Sequence, residues 1–101
     1  MKYVKGLREK EEAKVLKYIE FLRTKKGCLG EPYSKHIQRK IRELRVDFGH
    51  NKYRIFYFIF VKKTIVLLHV FLKKTAKTPI SEIKKAEENY QNVLKNPKIY
   101  E

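Results

Sequence analysis

Residues 53–72 constrain this chain more than any other segment, because these twenty residues are mostly apolar and long enough to cross a bilayer as a helix. Lys62 and Lys63 sit at their centre, and each costs about 2.5–3.5 kcal/mol at mid-membrane depth. The flanking residues are Ile, Val, Phe and Tyr, whose branched or aromatic side chains favour strands. The segment therefore reads as a hairpin, with a strand over 53–61, a turn over 62–64 and a strand over 65–72.

The rest of the chain organises around that hairpin. From residue 7 to about 24 the apolar positions Val15, Ile19 and Leu22 recur at helical spacing, with Leu16 and Tyr18 widening the stripe, and Gly27 and Gly30 end it. Pro32 suits the first position of a second, short helix running to about 38–40. Residues 41–46 can extend that helix, but Leu44 and Val46 alternate with Glu43 and Arg45, as in a half-buried strand. A turn-rich link over 47–51 makes this strand and the next antiparallel neighbours. Thr78 is a reasonable N-cap with Pro79 at the first helical position, and Ile83, Ala86, Tyr90 and Val93 mark a C-terminal helix to about Lys95, stopped by Asn96 and Pro97. The expected order is helix, helix, strand, strand, strand, helix, with both helical layers on one face of the sheet. Residues 1–5 offer thin support for a further strand. Nothing divides the 101 residues, so 1–101 reads as a single domain.

Charge narrows the function. Lys and Arg number 25 against 11 Asp and Glu, a net charge of +14. A folded chain of this mass exposes roughly 6,000 Å², or one uncompensated charge per roughly 400 Å². That repulsion opposes compaction and points to an acidic counterpart: nucleic acid, an anionic membrane or an acidic protein. A single Cys28 excludes a disulfide framework or a zinc finger. Lys2, Tyr3, Val4 and Lys5 carry no apolar secretory signal, so a cytoplasmic location with reduced Cys28 is expected.

The charge is also unevenly placed. No Asp or Glu occurs from Phe48 to Ser81, whereas Lys52, Arg54, Lys62, Lys63, Lys73, Lys74 and Lys77 do. Hairpin geometry puts Arg54, at the start of one strand, beside Lys73 and Lys74, at the end of the next, and the preceding strand brings Arg45 to the same edge. The bland reading is a solvated basic face. The sharper one is a phosphate site, because Arg matches phosphate oxygens bidentately and a desolvated Lys can carry a proton.

The runs Glu43-Leu44-Arg45-Val46, Tyr53-Arg54-Ile55-Phe56-Tyr57-Phe58, Leu67-Leu68-His69 and Lys73-Lys74-Thr75, with Lys77-Thr78-Pro79 and Glu82-Ile83, together resemble the RelE/HigB superfamily of type II toxin–antitoxin toxins, in its phage-derived, HigB-like branch. Gly30-Glu31-Pro32-Tyr33 fits as well, and the likeness covers roughly 7–90. It implies a RelE-like α+β fold with two N-terminal helices, a three- to four-stranded antiparallel sheet and a C-terminal helix. It implies a toxin acting as a ribosome-dependent endoribonuclease (an mRNA interferase) that cuts translated mRNA at the A site. Its implied partners are the ribosome and mRNA and, in a hetero-oligomer, an acidic antitoxin with a helix-turn-helix; no membrane is among them.

Such cleavage needs no metal or cofactor, because RNA supplies its own nucleophile, the 2′-OH. The protein must help remove that proton, stabilise the charge on phosphorus and protonate the leaving 5′-oxygen, with acid–base help worth about 10²–10⁴-fold per positioned group. By resemblance, Arg54 stabilises the phosphate in the transition state, and Lys74 stabilises it or protonates the leaving group, with Lys73 the alternative for that role. Arg45 orients the RNA or helps activate the 2′-OH. Lys52, Lys77, Lys62 and Lys63 are RNA contacts. Two family features are missing: residues 79–81 read Pro-Ile-Ser where some branches place a catalytic Tyr, and residues 86–101 contain no His. The general base is thus unassigned, and the family's N-terminal strand is shortened or missing.

Other residues have plainer readings. His69 shares its side-chain direction with Phe71 and Lys73, and a core histidine with one hydrogen bond is expected over an acid–base role. Tyr53 and Tyr57 on one strand face, and Phe56, Phe58 and Phe60 on the other, are expected in the core, although aromatic faces can also stack on bases. His36 and His50 read as surface residues, and three His with one Cys at these spacings form no metal motif. Two other functions share the fold: a ParE-like toxin that inhibits gyrase by binding it, and an inactive RNA- or protein-binding module.

Overall fold

The computed structural model describes residues 9–60 and 64–96. Along the chain run α1 (Glu9–Thr24), β1 (Ser34–Gln38), β2 (Ile41–Phe48), β3 (Asn51–Ile59), β4 (Ile65–Lys73) and α2 (Ile80–Lys95). The four strands form one antiparallel sheet in sequence order. The long apolar segment is thus the β3–β4 pair, and among the described residues no helix is long and apolar enough to cross a membrane. The readings that fall on residues 1–8, on residues 61–63 with Lys62 and Lys63, and on Pro97 lie outside the described residues.

Three expectations are corrected. The second helix is instead the edge strand β1. The amides of Tyr33 and Ser34 both donate to the Gly30 carbonyl at 3.0 Å, which puts Pro32 inside a tight turn rather than in a first helical turn. Only Arg39 and Lys40 then separate β1 from β2, with Arg39 at φ 50°, so ladder pairing from Ser34↔Leu44 to Gln38↔Ile41 captures a segment too short to hold a helix by itself.

The second correction concerns the helices, which cover opposite faces of the sheet. Six consecutive residues of β3, from Tyr53 to Phe58, are buried, and a strand buried on both sides needs cover on both. Val15 and Leu22 of α1 pack on Leu44, Val46, Tyr53, Ile55 and Tyr57. Ala86, Tyr90 and Val93 of α2 pack on Ile41, Phe56, Phe58, Val66 and Leu68. The third concerns the start of α2: Pro79, not Thr78, is the N-cap residue, without a side-chain cap, and the Thr78 hydroxyl donates instead to Glu43 Oε2 at 2.8 Å.

The helix ends follow local chemistry. Glu9, Glu11 and Glu12 in the first turn of α1 and Arg23 in its last complement the macrodipole. The helix closes at Gly27, at φ 81°, whose amide donates to the Leu22 carbonyl at 2.9 Å. A Cβ there would lie 2.6 Å from Ile59 Cδ1. Buried Glu11 accepts hydrogen bonds from the Tyr53 hydroxyl and from Asn51 Nδ2, pinning α1 to the start of β3.

Candidate phosphate-binding site

Strand alternation puts Glu43, Arg45 and Asp47 of β2 on the face that α2 covers. Register places Arg45 opposite Arg54, Asp47 opposite Lys52, Phe71 opposite Arg54 and Lys73 opposite Lys52. The core that α2 seals is built from Ile41 and the later residues of β3, so the other end of this face is left to charged side chains. Arg45, Arg54, Lys52 and Lys73 converge there around Glu43 and Asp47.

Arg54 is the anchor, with its side chain 4% exposed. Its Nη1 donates to Asp47 Oδ1 at 2.8 Å and to the Tyr53 carbonyl at 2.9 Å. Glu43, equally buried, stands between the two guanidinium groups, with Oε1 at 3.7 Å from Arg45 Nε and 3.9 Å from Arg54 Nε. Both distances exceed hydrogen-bond reach, and Arg45 Nε and Arg54 Nε are buried donors that find no hydrogen-bond partner among the described residues. Leaving such a donor unpaired costs about 1–3 kcal/mol. The four cations outnumber the two carboxylates by two, so the cluster keeps positive charge and unspent donors.

Lys73 responds to this field. Burial pushes its ammonium below its ordinary value, and the charges of Arg54, Arg45 and Lys52 push the same way, with Glu43 opposing. A Lys that gives up its proton more easily suits proton transfer as well as charge stabilisation.

The other sequence-predicted residues fall elsewhere. Lys74 follows β4 and is exposed; it lines a neighbouring groove of about 340 Å³ with His50, Asn51 and Leu72, and Lys52 and Lys73 border that groove too. Lys77 is exposed in the 75–77 bend. Lys62 and Lys63 are outside the described residues. His69 is buried, bonds through Nε2 to the Glu82 carboxylate and stacks on Phe71 at 5.6 Å between ring centroids. His36 and His50 are exposed.

Sequence reasoning missed Glu43 and Asp47 as members of the site, and assigned Thr78 to a helix cap rather than to Glu43. Their signal was present as acid and base at alternate positions of one strand, Glu43, Arg45 and Asp47, which places both signs on one face. A second groove, of about 390 Å³, opens beside the cluster between α1 and the Pro32–Tyr33 turn, and Arg45 and Arg54 contribute to its lining.

No curated protein matches the chain at a significant level. A family model does match, over residues 2–91, a span that includes every element of the sheet and the cluster of Arg45, Arg54 and Lys73; the chain belongs to the family described as Phage derived protein Gp49-like (DUF891).

Proposed function

We propose that the chain is the toxin of a toxin–antitoxin pair and an endoribonuclease that cuts translated mRNA on the ribosome, as its resemblance to the RelE/HigB superfamily implies. The observation that carries this reading is the pair of buried guanidinium Nε atoms that find no hydrogen-bond partner among the described residues, beside Lys73, whose ammonium burial and neighbouring cations push below its ordinary value. Nε donors held beyond hydrogen-bond reach of Glu43 gain most from a phosphate oxygen that a small side-chain shift admits, and cations already assembled stabilise developing phosphorane charge at little reorganisation cost. Membership of a phage-derived family is compatible with a toxin–antitoxin setting.

In this reading the 2′-oxygen bonds to phosphorus and loses its proton, while the phosphorus–O5′ bond breaks and the 5′-oxygen takes one up. Arg54 and Arg45 hold the non-bridging oxygens. Lys73 carries a proton at one of the two oxygens, and Lys52 and Lys77 hold flanking phosphates. The general base stays unassigned.

The test is induction of the chain in cells, followed by primer extension on abundant messages. Breaks inside codons that vanish when translation is blocked support the reading, as does their loss in Arg45→Ala and Lys73→Ala. Intact mRNA with arrested DNA replication overturns it in favour of gyrase inhibition. Intact mRNA with no growth arrest leaves only a binding module.

A further inference from the structure

We propose that Tyr33 is a base-stacking residue, holding the nucleobase next to the phosphate bound by Arg45 and Arg54; this rests on the reading of the site as one for single-stranded RNA. The groove of about 390 Å³ has one wall of Lys14, Tyr18, Pro32 and Tyr33 and another that includes Arg45 and Arg54. Its volume lies at the small end of the range of about 300–1,000 Å³ for small-molecule sites, which suits one nucleotide better than a folded partner.

Three independent features single out Tyr33. First, Tyr33 is 41% exposed, whereas every other described Phe or Tyr is buried or half-buried. Second, the ring is already held: it packs T-shaped with Phe21, with centroids 5.4 Å apart and planes at 82°. Third, its backbone is fixed at both polar groups. Its amide donates to the Gly30 carbonyl at 3.0 Å, and its carbonyl accepts from the Arg45 amide at 2.9 Å. That last bond sets the distance from the ring to the cationic cluster. An aromatic face ordered in advance loses little entropy on binding, and stacking accepts any base because every base has a π-face. Lys14, whose ammonium lies 5.7 Å from the Tyr18 ring centroid, adds a cation at the same wall.

The probe is a short single-stranded RNA, 2′-O-methylated so that it cannot be cut, with or without one abasic position, titrated by fluorescence anisotropy at several salt concentrations. Tyr33→Ala is expected to weaken binding about 5- to 150-fold and to leave the slope of log K against log salt unchanged, because no phosphate contact is lost. Tyr33→Phe is expected to bind as the unaltered chain does, and the abasic probe to erase most of the Tyr33→Ala effect. Arg45→Ala should weaken binding and make the salt slope shallower. Unchanged affinity in Tyr33→Ala, with Arg45→Ala weakened, overturns the stacking role and spares the phosphate site. So does an equal loss in Tyr33→Phe. Unchanged affinity in both Tyr33→Ala and Arg45→Ala, or no binding by the unaltered chain at low salt, overturns both proposals.

Discussion

Replacing Glu43 by Gln tests the centre of the site. The side chain keeps its shape, but a 2%-exposed carboxylate loses its charge at 3.7 Å from Arg45 Nε and 3.9 Å from Arg54 Nε. At an effective dielectric of about 20, each such pair attracts by about 4 kcal/mol before desolvation is counted. Measured losses on breaking a buried pair are about 3–5 kcal/mol, most of it the cost of the charge left behind. Asp47 still holds Arg54 at 2.8 Å and Arg45 is partly solvated, so the expected loss sits at the lower end, about 3 kcal/mol. In a domain near 100 residues that lowers Tm by about 12–24 °C.

The assay is thermal and urea unfolding followed by circular dichroism. Thr78→Val is the companion, because it removes only the 2.8 Å hydroxyl bond to Glu43 Oε2, worth about 1.5–3 kcal/mol to a charged acceptor. The double variant should lose less than the sum, since both changes act on one carboxylate. A Glu43→Gln protein that melts within about 4 °C of the parent, or strictly additive losses, would show that Glu43 is not the counter-ion around which these cations are assembled.

The remaining predictions address the proton-labile lysine and the turns. Lys73 holds its proton less tightly in the folded chain than in the unfolded one. It therefore weakens the fold in full below its folded value, and the penalty is relieved as pH rises through that value towards the ordinary 10.5. Lys73→Met should be more stable than the parent at pH 7 and should lose the parent's gain at alkaline pH; urea midpoints at the two pH values check this, and a less stable Met variant at neutral pH contradicts it. Gly27→Ala and Gly49→Ala form a matched pair. Both positions have positive φ, which costs about 1–2 kcal/mol for Ala. Only Gly27 also meets Ile59 Cδ1, 2.6 Å from its ideal Cβ, while nothing lies within 4 Å at Gly49. Denaturation should rank Gly27→Ala clearly below Gly49→Ala, and equal losses would remove the close approach as a cause.

The β3–β4 pair was legible from its long runs of β-branched and aromatic residues, α2 from its helical spacing, and β2 from a short alternation that prevailed over a helical alternative. Residues 32–40 were not: Pro32 fits the start of a helix or a turn equally well, and Ser34 hides its burial. Its hydroxyl lies 2.6 Å from the Tyr57 hydroxyl and accepts from Arg42 Nε at 3.0 Å, partners that no local pattern announces. The two-sided cover of the sheet was implicit in the unbroken apolar run of β3, which an alternating, one-faced sheet does not produce. For the site, strand order alone brought Arg45 and Arg54 together. The choice between Lys73 and Lys74 depended on a parity the sequence leaves open until the end of β4 is known. Because Lys73 lies opposite Lys52, it shares the face of Arg54, and Lys74 turns to the neighbouring groove.

The two carboxylates explain how so basic a corner can assemble. Four cations drawn to one end of a sheet repel one another, and Arg54, almost without solvent, cannot rely on water to screen it. Glu43 and Asp47 reduce that repulsion enough for the strands to pair. Full neutralisation would leave nothing to attract an anion. Spacing Glu43 beyond hydrogen-bond reach of both Nε atoms keeps most of the Coulomb attraction while leaving the donors unspent. On the proposed reading, a phosphate oxygen admitted as these side chains part gains hydrogen bonds that Glu43 does not make. Shortening those contacts should then weaken phosphate binding even as it strengthens the fold, and stability and affinity should move in opposite directions across variants at Glu43, Asp47 and Lys73.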